Sequence, residues 1–299
     1  MPTISVVVPC YNGGKFLDQL TASLARQTYR DFEIVVVNDG STDPATQAKL
    51  AALDPAIRVI HQENRGLSAA RNAGFFASRA DLVVNLDCDD QLEPTYLEET
   101  LNAMQSAPPE VGFVFTHVRV VGAGQGIEKR YFNAFDALFK NVIGYSMLIR
   151  KTAWLKAGRY DETMRDGYED WEFNLRLIFS GSLGIEIPKP LFLYTASTQG
   201  MLIGHSSRMH AALWRRIRNK HREFYRVSNI VRKYWENRTT RTEISVLRPL
   251  IALLLTSVLP DTWYNKVIRY IRSNRMLRYM KSGGPIVRGT AIRPDIGAS

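Results

Sequence analysis

The stretch Asp81–Asp90, DLVVNLDCDD, is the strongest single indication of the fold. Its apolar part, residues 82–86, has the length and composition of a buried strand. Three carboxylates follow within four positions, at Asp87, Asp89 and Asp90. Because burying an unpaired charge is costly, we expect these acids where the strand leaves the sheet, in the crevice where open α/β sheets bind ligands.

Three neighbouring carboxylates repel one another unless a cation lies between them. Carboxylate oxygens suit a hard ion, so the triplet predicts a divalent cation, Mn²⁺ or Mg²⁺, as cofactor. The alternative is an acidic loop, or a helix cap that begins at Asp90. The triplet by itself leaves both interpretations open.

Apolar and β-branched runs alternate with helical patterns through the first hundred residues. The predicted strands cover residues 4–8, 32–37, 57–60 and 82–86, and the predicted helices cover residues 16–24, 66–78 and 95–105. This alternation is typical of βαβ units with right-handed crossovers, which place the carboxyl ends of all strands at one rim. We therefore predict an α/β fold, a Rossmann-like, mostly parallel sheet flanked by helices, whose rim joins residues 9–12, 39–43 and 87–90.

Further along the chain, strands are predicted over residues 111–121 and 145–150, and helices over residues 152–157 and 171–179. The stretch Gly122–Gly126 lacks the spacing of a dinucleotide fingerprint, so it is interpreted as a hairpin loop. Asp170 directly precedes the last of these helices and is placed to cap it.

Charge divides the chain into two parts. The net charge is +10, with −5 in residues 1–200 and +15 in residues 201–299. This break predicts a first domain over residues 1–207 and a basic, mostly helical C-terminal extension over residues 208–299.

The extension combines apolar and basic residues. Apolar side chains from Trp214 to Trp235 recur at spacings of three and four, as on one helical face, and basic residues recur every third position from Lys266 to Lys281. One hypothesis is a monotopic contact with an anionic membrane surface; the alternative is a helix pair that packs on the first domain. Nucleic acid is not expected as a partner, because no binding motif accompanies the charge.

The longest apolar run, Pro249–Pro260, is far shorter than the ~20 residues that span a bilayer. The N-terminus lacks the basic flank and apolar stretch of a signal peptide. Cys10 and Cys88 have no zinc-site spacing and are interpreted as reduced core residues. We expect a cytoplasmic protein, peripheral on the inner face of the membrane.

Five runs of sequence carry a family resemblance. VVVPCYNGG, VVVNDGSTD, ENRGLSAARNAG, LDCDD and YEDWEFNLR resemble, in this order, those of the inverting nucleotide-sugar glycosyltransferases of family two, which share the A-type (GT-A) fold. The resemblance covers roughly residues 3–195 and does not reach the extension. It implies an enzyme that transfers a sugar from a nucleotide diphosphate, usually uridine diphosphate, to a hydroxyl of a glycan or lipid-linked acceptor.

The resemblance also implies roles for single residues. Those assigned to the nucleotide are Pro9, Tyr11, Asp39, Arg71, Asp87 and, as an adjoining acid, Asp90. Asp89 would hold the metal. Asp170 would be the catalytic base, with Glu169 as the reserve candidate.

These residue types match the chemistry of sugar transfer. Aspartate accepts hydrogen bonds from ribose hydroxyls or a base N–H, and a divalent ion offsets charge on the departing diphosphate. A carboxylate on the opposite face takes the proton of the acceptor hydroxyl, and attack from that face inverts the anomeric carbon.

Other interpretations remain open. Asp170 could be a helix cap, Asp39 a turn former, Arg71 a surface residue and Tyr11 a packing residue. His205, in a loop that is a candidate lid, could bind the metal or a phosphate, or do neither. The whole chain could instead be an aspartyl phosphohydrolase, or a non-catalytic glycan- or membrane-binding protein with a decayed site.

Overall fold

The computed structural model describes residues 1–197 and 209–240, together with residues 242, 244, 251, 253–255, 259–260, 262–264 and 266. His205, the candidate metal ligand, lies outside the described residues, as does the basic series beyond Lys266.

The first part of the chain alternates strands and helices as predicted. Its elements are β1 (Ile4–Cys10), α1 (Leu17–Ala25), β2 (Phe32–Asp39), α2 (Pro44–Ala51), β3 (Arg58–Gln62), α3 (Leu67–Ala77) and β4 (Leu82–Asn85). Strands β1 to β4 all run parallel, with β1 between β2 and β4 and with β3 beside β2. Their carboxyl ends therefore share one rim, which confirms the prediction on which the candidate site depends.

Helices on both faces bury β1 completely. Val6 and Val8 pack into the same core as α1, and Val7 packs with α3 in a second core. The approach of α3 is so close that a Cβ added at Gly74 would lie 2.1 Å from Val7 Cγ1. A buried strand of a parallel sheet tolerates β-branched residues on both faces, which is why Val6, Val7 and Val8 are apolar without alternation.

The second part of the chain extends this sheet with mixed strand directions. Its elements are β5 (Gln91–Leu92), α4 (Tyr96–Gln105), β6 (Val111–Gly122), β7 (Gly126–Glu128), β8 (Met147–Arg150), α5 (Lys151–Ala157), α6 (Glu169–Phe179) and β9 (Leu183–Ala196). Within the described residues the strand order is β3-β2-β1-β4-β8-β6-β9-β5, and β7 pairs with β6. Strand β8 is antiparallel to β4 and β6, whereas β9 is parallel to β6.

Strand β9 has no counterpart in the sequence predictions, because Pro188 and Pro190 interrupt its pattern. Proline cannot donate to a strand ladder and is tolerated where the pairing is irregular. The pairing with β6 shifts at this point, from Thr116 opposite Ile187 to Val118 opposite Phe192. The two prolines lie inside that irregularity.

The interpretation of Gly122–Gly126 as a hairpin loop is confirmed, since β6 and β7 pair antiparallel on either side of it. Gly122 has a left-handed backbone with φ of +85°, and a Cβ there would lie 2.7 Å from the carbonyl oxygen of Ala196. Both the turn and the close approach of β9 require glycine at this position.

The predicted continuous helical face from Trp214 to Trp235 is wrong in one respect, because the chain forms two helices, α7 (His210–Lys220) and α8 (Val227–Asn237). Trp214 and Ile217 of α7 are buried in the core that contains Trp154 and Phe173. On α8, Ile230 is buried in that core, whereas Val231 and Trp235 are exposed. The division at residue 207/208 stays a prediction.

Among the residues that the structure describes, no helix is both long and apolar enough to cross a bilayer. Cys10 is buried, Cys88 is partly buried, and both are free thiols.

Candidate active site

The loop that follows β1 is fixed to the loop that follows β2. Asn12 has a left-handed backbone with φ of +51°. Its side-chain oxygen accepts hydrogen bonds from the backbone N–H of Thr42 (2.9 Å) and of Asp43 (3.0 Å). Pro9 is buried in β1, while Tyr11 has 51% of its surface exposed at the rim. The structure therefore brings Pro9, Tyr11 and the end of β2 together, as predicted from the parallel sheet.

Asp39, at the end of β2, is buried and tied to the loop before α3. Its Oδ1 accepts hydrogen bonds from Gln62 Nε2 (2.7 Å) and the backbone N–H of Arg65 (2.9 Å), and its Oδ2 accepts one from the backbone N–H of Gly66 (2.8 Å). The neighbouring Gly40 has φ of +70°, and a Cβ there would lie 2.6 Å from the backbone nitrogen of Asn64. Asp39 thus holds this loop at the rim.

Arg71 lies at the centre of the site with only 1% of its surface exposed, so it is not a surface residue. Its Nη2 donates to both carboxylate oxygens of Asp87 (2.9 and 3.1 Å), and its Nη1 donates to Glu169 Oε1 (2.9 Å). The guanidinium carbon is 4.7 Å from the ring centre of Tyr145 and 5.5 Å from that of Tyr160. Both terminal nitrogens of Arg71 donate to carboxylates, and Arg71 thereby links Asp87 to Glu169.

The three acids that follow β4 have three different environments. Asp87 pairs with Arg71. Asp90 is buried and accepts hydrogen bonds from the backbone N–H of Thr195 (2.7 Å) and the hydroxyl of Tyr145. Asp89 is partly exposed, and within the described residues it has no hydrogen bond or ion pair to another residue. Asp90 therefore links neighbouring parts of the sheet edge, whereas Asp89 is the acid that remains accessible to a ligand.

Burial, together with the neighbouring Asp87 carboxylate, raises the pKa of Asp89 to about 6. Lys15 lowers this pKa but does not offset burial and the Asp87 charge, so the ionised form is under-compensated. In the described part of the chain, no group of three or more His, Cys, Asp or Glu side chains could hold a metal ion by itself. Mg²⁺ in phosphate-transferring sites is bound by one or two carboxylates together with the substrate's phosphates, so Asp89 fits a cation that arrives with a diphosphate.

Helix α6 presents Glu169 and Asp170 at its first turn. The residue before the helix, Tyr168, is left-handed with φ of +63°. Because α6 begins at Glu169, Asp170 lies inside the first turn, and the expectation that Asp170 precedes and caps the helix is wrong. Acidic side chains in this turn are favoured by the helix dipole.

The two acids of α6 differ in accessibility. Glu169 is buried against Arg71, and burial and the nearby Asp170, opposed by Arg71, raise its pKa to about 7. Asp170 is partly exposed. Its Oδ2 accepts a hydrogen bond from Asn141 Nδ2 (2.7 Å), and its Oδ1 accepts one from the backbone N–H of Trp171 (2.8 Å). Of the pair, Asp170 is the carboxylate that a substrate hydroxyl can reach.

Three residues of the site lie outside every motif recognised in the sequence: Asn141, Tyr145 and Tyr160. Tyr145 links Asp90 to Arg71, and Tyr160 stacks near Arg71 and accepts a hydrogen bond on its hydroxyl from Asn85 Nδ2 (2.9 Å). Asparagine is a common turn residue, so the sequence could have indicated a turn at Asn141. In the structure its side chain accepts from the backbone N–H of Gly144. No sequence signal indicates that it also reaches Asp170.

A largely parallel sheet whose rim gathers acidic loops, beside an acidic helix start, has the architecture of the GT-A fold. The family model described as "Glycosyl transferase family 2" matches residues 5–160, and the chain belongs to this family.

Two curated relatives come from Streptococcus pneumoniae. Glycosyltransferase GlyG is 29% identical over 213 residues, which are 69% of this chain and 64% of GlyG. Glycosyltransferase GlyA is 44% identical over 97 residues, which are 32% of this chain and 14% of GlyA. The matches thus span less than two thirds of the length of either relative.

Two solved structures share the fold. One is residues 1–349 of S. aureus TarS in complex with UDP-GlcNAc, with a TM-score of 0.60 and 19% identity, covering 73% of this chain and 65% of that one. The other is mannosyltransferase PcManGT from Pyrobaculum calidifontis in complex with GDP-Man and Mn²⁺, with a TM-score of 0.56 and 16% identity, covering 94% and 88%.

Proposed function

We propose that this glycosyltransferase is an inverting enzyme that moves a hexosyl or N-acetylhexosaminyl group from a nucleoside diphosphate, UDP in the first instance, to a hydroxyl of a glycan or lipid-linked acceptor. One observation carries the proposal. Arg71 joins Asp87 to Glu169, and beside each of these paired acids lies one that remains accessible, Asp89 and Asp170 respectively. A single buried guanidinium therefore fixes a ligand-binding acid and a candidate base relative to each other.

The chain's own residues divide the reaction between them. Asp170 takes the proton of the acceptor hydroxyl as that oxygen attacks the anomeric carbon. Asp89 would hold the divalent cation, which when bound offsets negative charge on the departing diphosphate. Attack on the face opposite the diphosphate inverts the anomeric carbon, and no covalent intermediate on the enzyme is required.

We assign the nucleoside to the loops that follow β1 and β2. Tyr11 offers an exposed ring at the rim, next to Pro9, and Asp39 shapes the loop before α3. Asp87 would accept hydrogen bonds from ribose while Arg71 holds it in place. Asp90, buried behind Tyr145, would support this site without contact to the nucleotide. TarS with UDP-GlcNAc and PcManGT with GDP-Man and Mn²⁺ suggest donors for the first tests.

A panel of UDP- and GDP-sugars, each with Mn²⁺ or with EDTA, tests the proposal. We expect one donor to stabilise the protein thermally and to be hydrolysed slowly in the presence of Mn²⁺, and Asp89→Asn to lose the Mn²⁺-dependent part of both effects. Calorimetry that detects no metal-dependent nucleotide binding would favour the non-catalytic alternative. A trapped phosphoaspartate would favour the phosphohydrolase.

We also propose that the extension docks the enzyme on an anionic membrane surface, on the cytoplasmic side. On α8, the residues Val227, Val231 and Trp235 form an exposed apolar ridge, the α8 ridge, with 68%, 47% and 57% of their surfaces exposed. Exposed arginines at positions 222, 226, 232 and 238 surround it, and Arg238 lies over the ring of Trp235 at 4.8 Å. Apolar side chains flanked by cations are typical of helices that lie in the membrane interface.

Vesicle flotation of the full chain tests the docking. We expect binding to phosphatidylserine-containing vesicles that weakens with salt, no binding to phosphatidylcholine alone, and reduced binding of the double variant Val231→Ser/Trp235→Ser. A full chain that remains unbound on anionic vesicles at moderate salt would leave α7 and α8 as a helix pair that only packs on the catalytic domain.

A further inference from the structure

The loop between the 3₁₀ turn Asp136–Leu138 and β8 places one amide against the candidate base. Asn141 Nδ2 donates a hydrogen bond to Asp170 Oδ2 at 2.7 Å. The other carboxylate oxygen of Asp170, Oδ1, accepts from the backbone N–H of Trp171 at 2.8 Å. Each oxygen of the carboxylate is therefore held by one donor, and each keeps one lone-pair direction for another partner.

The orientation of the Asn141 amide is determined by its own partners. Its Oδ1 accepts from Asn174 Nδ2 (3.2 Å) and from the backbone N–H of Gly144 (3.3 Å). If the amide were flipped, its oxygen would face the Asp170 carboxylate and its NH₂ would face two donors. Only one orientation satisfies all three neighbours, so the nitrogen must point to Asp170.

The loop that carries Asn141 is attached on two sides. The backbone carbonyl of Asn141 accepts a hydrogen bond from Arg130 Nη1 (3.1 Å), and Arg130 is also paired with Glu128 (3.2 Å). On the other side, Asn174 Nδ2 donates to the carbonyl of Gly144 (2.8 Å). Asn174 is fully buried on α6, one helical turn beyond Asp170. Helix α6 therefore positions both groups: Asn174 holds the loop that carries Asn141, and Asp170 belongs to the same helix.

We propose that Asn141 is a positioning residue for Asp170. Its amide fixes the rotation of the carboxylate about the Cβ–Cγ bond, so that the remaining lone pair of Oδ2 is presented in one direction to the acceptor hydroxyl. A general base acts only within hydrogen-bond reach and alignment of the proton that it takes, and a small misplacement of a reacting group costs much of the rate. This inference rests on the proposed function, because it requires Asp170 to be the base.

Two variants of Asn141 test it in the full-length enzyme with its best donor, its acceptor and Mn²⁺. Asn141→Asp keeps an oxygen that can accept from Gly144 and Asn174 but replaces the NH₂ with an oxygen, which removes the donor to Asp170 and places a second negative charge beside it. Asn141→Ala removes both the accepting oxygen and the donating NH₂. We expect kcat to fall about 10- to 100-fold in each, with the KM for the donor nucleotide unchanged. Asn102→Ala, an exposed asparagine on α4, is the matched control and keeps wild-type kcat.

A double variant separates positioning from general destabilisation. If Asn141 acts only through Asp170, then Asn141→Ala combined with Asp170→Asn is no slower than Asp170→Asn alone. Independent losses that multiply would overturn the inference, and so would wild-type kcat in Asn141→Asp. Loss of kcat in Asn141→Asp while Asp170→Asn stays fully active would also overturn it, together with the role of Asp170. A wild-type chain that transfers no sugar from any donor would remove the proposed function itself.

Discussion

Helix α6 takes part in two ionic clusters of opposite composition. At its first turn, the catalytic cluster contains Asp87, Glu169 and Asp170 around the single guanidinium of Arg71. One turn further, the anchor cluster contains the buried Glu172 among three basic side chains, of which Lys220 also pairs with Asp161 (2.6 Å). These partners are Arg176 (2.7 and 2.8 Å), Lys220 (2.7 Å) and His221 (2.6 Å). In the first cluster three carboxylates lie around one guanidinium, whereas in the second three basic side chains converge on one buried carboxylate.

The two clusters shift the pKa values of two buried glutamates, three positions apart, in opposite directions. Burial raises the pKa of Glu169 to about 7, and one shared arginine does not compensate for it. Burial also opposes ionisation of Glu172, but hydrogen bonds from His221, Arg176 and Lys220 hold the pKa of Glu172 below its ordinary value. The anchor cluster joins the first domain to α7 and is satisfied internally. The catalytic cluster is short of positive charge, and perturbed pKa values of this kind are typical of functional sites.

The largest effect is expected from removal of the base. Asp170→Asn keeps the size of the side chain and one of the two hydrogen bonds that the carboxylate accepts, but it takes no proton, so kcat for sugar transfer should fall about 10²- to 10⁴-fold. The thermal unfolding midpoint should stay near that of wild type, because Asp170 is partly exposed and makes no ion pair in the described residues. Initial rates and differential scanning calorimetry measure the two quantities. Asp81→Asn, at an exposed aspartate, is the control. Full activity in Asp170→Asn would show that Asp170 is not the base.

The complementary change, Glu172→Gln, should affect stability instead of chemistry. It leaves Arg176, Lys220 and His221 without their shared carboxylate, and loss of one partner from a buried ionic group is strongly destabilising. We expect the free energy of unfolding to fall by about 3 kcal/mol, while the folded fraction keeps its kcat. Urea titration followed by tryptophan fluorescence measures the change, with the exposed Glu110→Gln as control. An unchanged unfolding midpoint would mean that α7 does not depend on the anchor cluster.

The sequence predicted the rim better than it predicted either cluster. Strands β1 to β4 follow from local apolar runs, and the handedness of their crossovers brings Asp39 and Asp89 to one edge without further information. Helix α2 also has a start signal in the sequence. Asp43 caps it by accepting from the backbone N–H of Thr46 (2.9 Å), and Pro44 occupies its first position.

The partners within the clusters could not be predicted, because they come from distant segments. Asp90 differs from Asp89 only through Tyr145, which is 55 positions away, and the backbone of Thr195, 105 positions away. Glu172 differs from Glu169 through Lys220 and His221 at the C-terminal end of α7. A single sequence contains no periodicity that pairs such positions, so residue types were predictable and their pKa shifts were not.

The smallest but most discriminating effect is the pH dependence of stability, which should have opposite signs in the two clusters. The pKa of Glu172 is lowered in the folded protein, so its contribution is fully present above the ordinary value of 4.5 and is lost as pH falls below it. The stability difference between wild type and Glu172→Gln should therefore shrink on acidification. The pKa of Glu169 is raised from 4.5 to about 7, so wild type loses stability as pH rises through that window, and Glu169→Gln, which cannot ionise, should gain relative to wild type.

Urea titrations of the three proteins at intervals between pH 3 and pH 8 measure both slopes. Parallel curves for wild type and Glu169→Gln would mean that Arg71 compensates the Glu169 carboxylate fully and that the catalytic cluster lacks no positive charge. Opposite slopes of the free energy of unfolding against pH would show that the excess of carboxylates in the catalytic cluster destabilises the folded state. Repetition with Mn²⁺ and the nucleotide then sharpens the comparison. A bound cation should reduce the slope that belongs to Glu169 and leave the slope that belongs to Glu172 unchanged, because only the catalytic cluster faces the ligand.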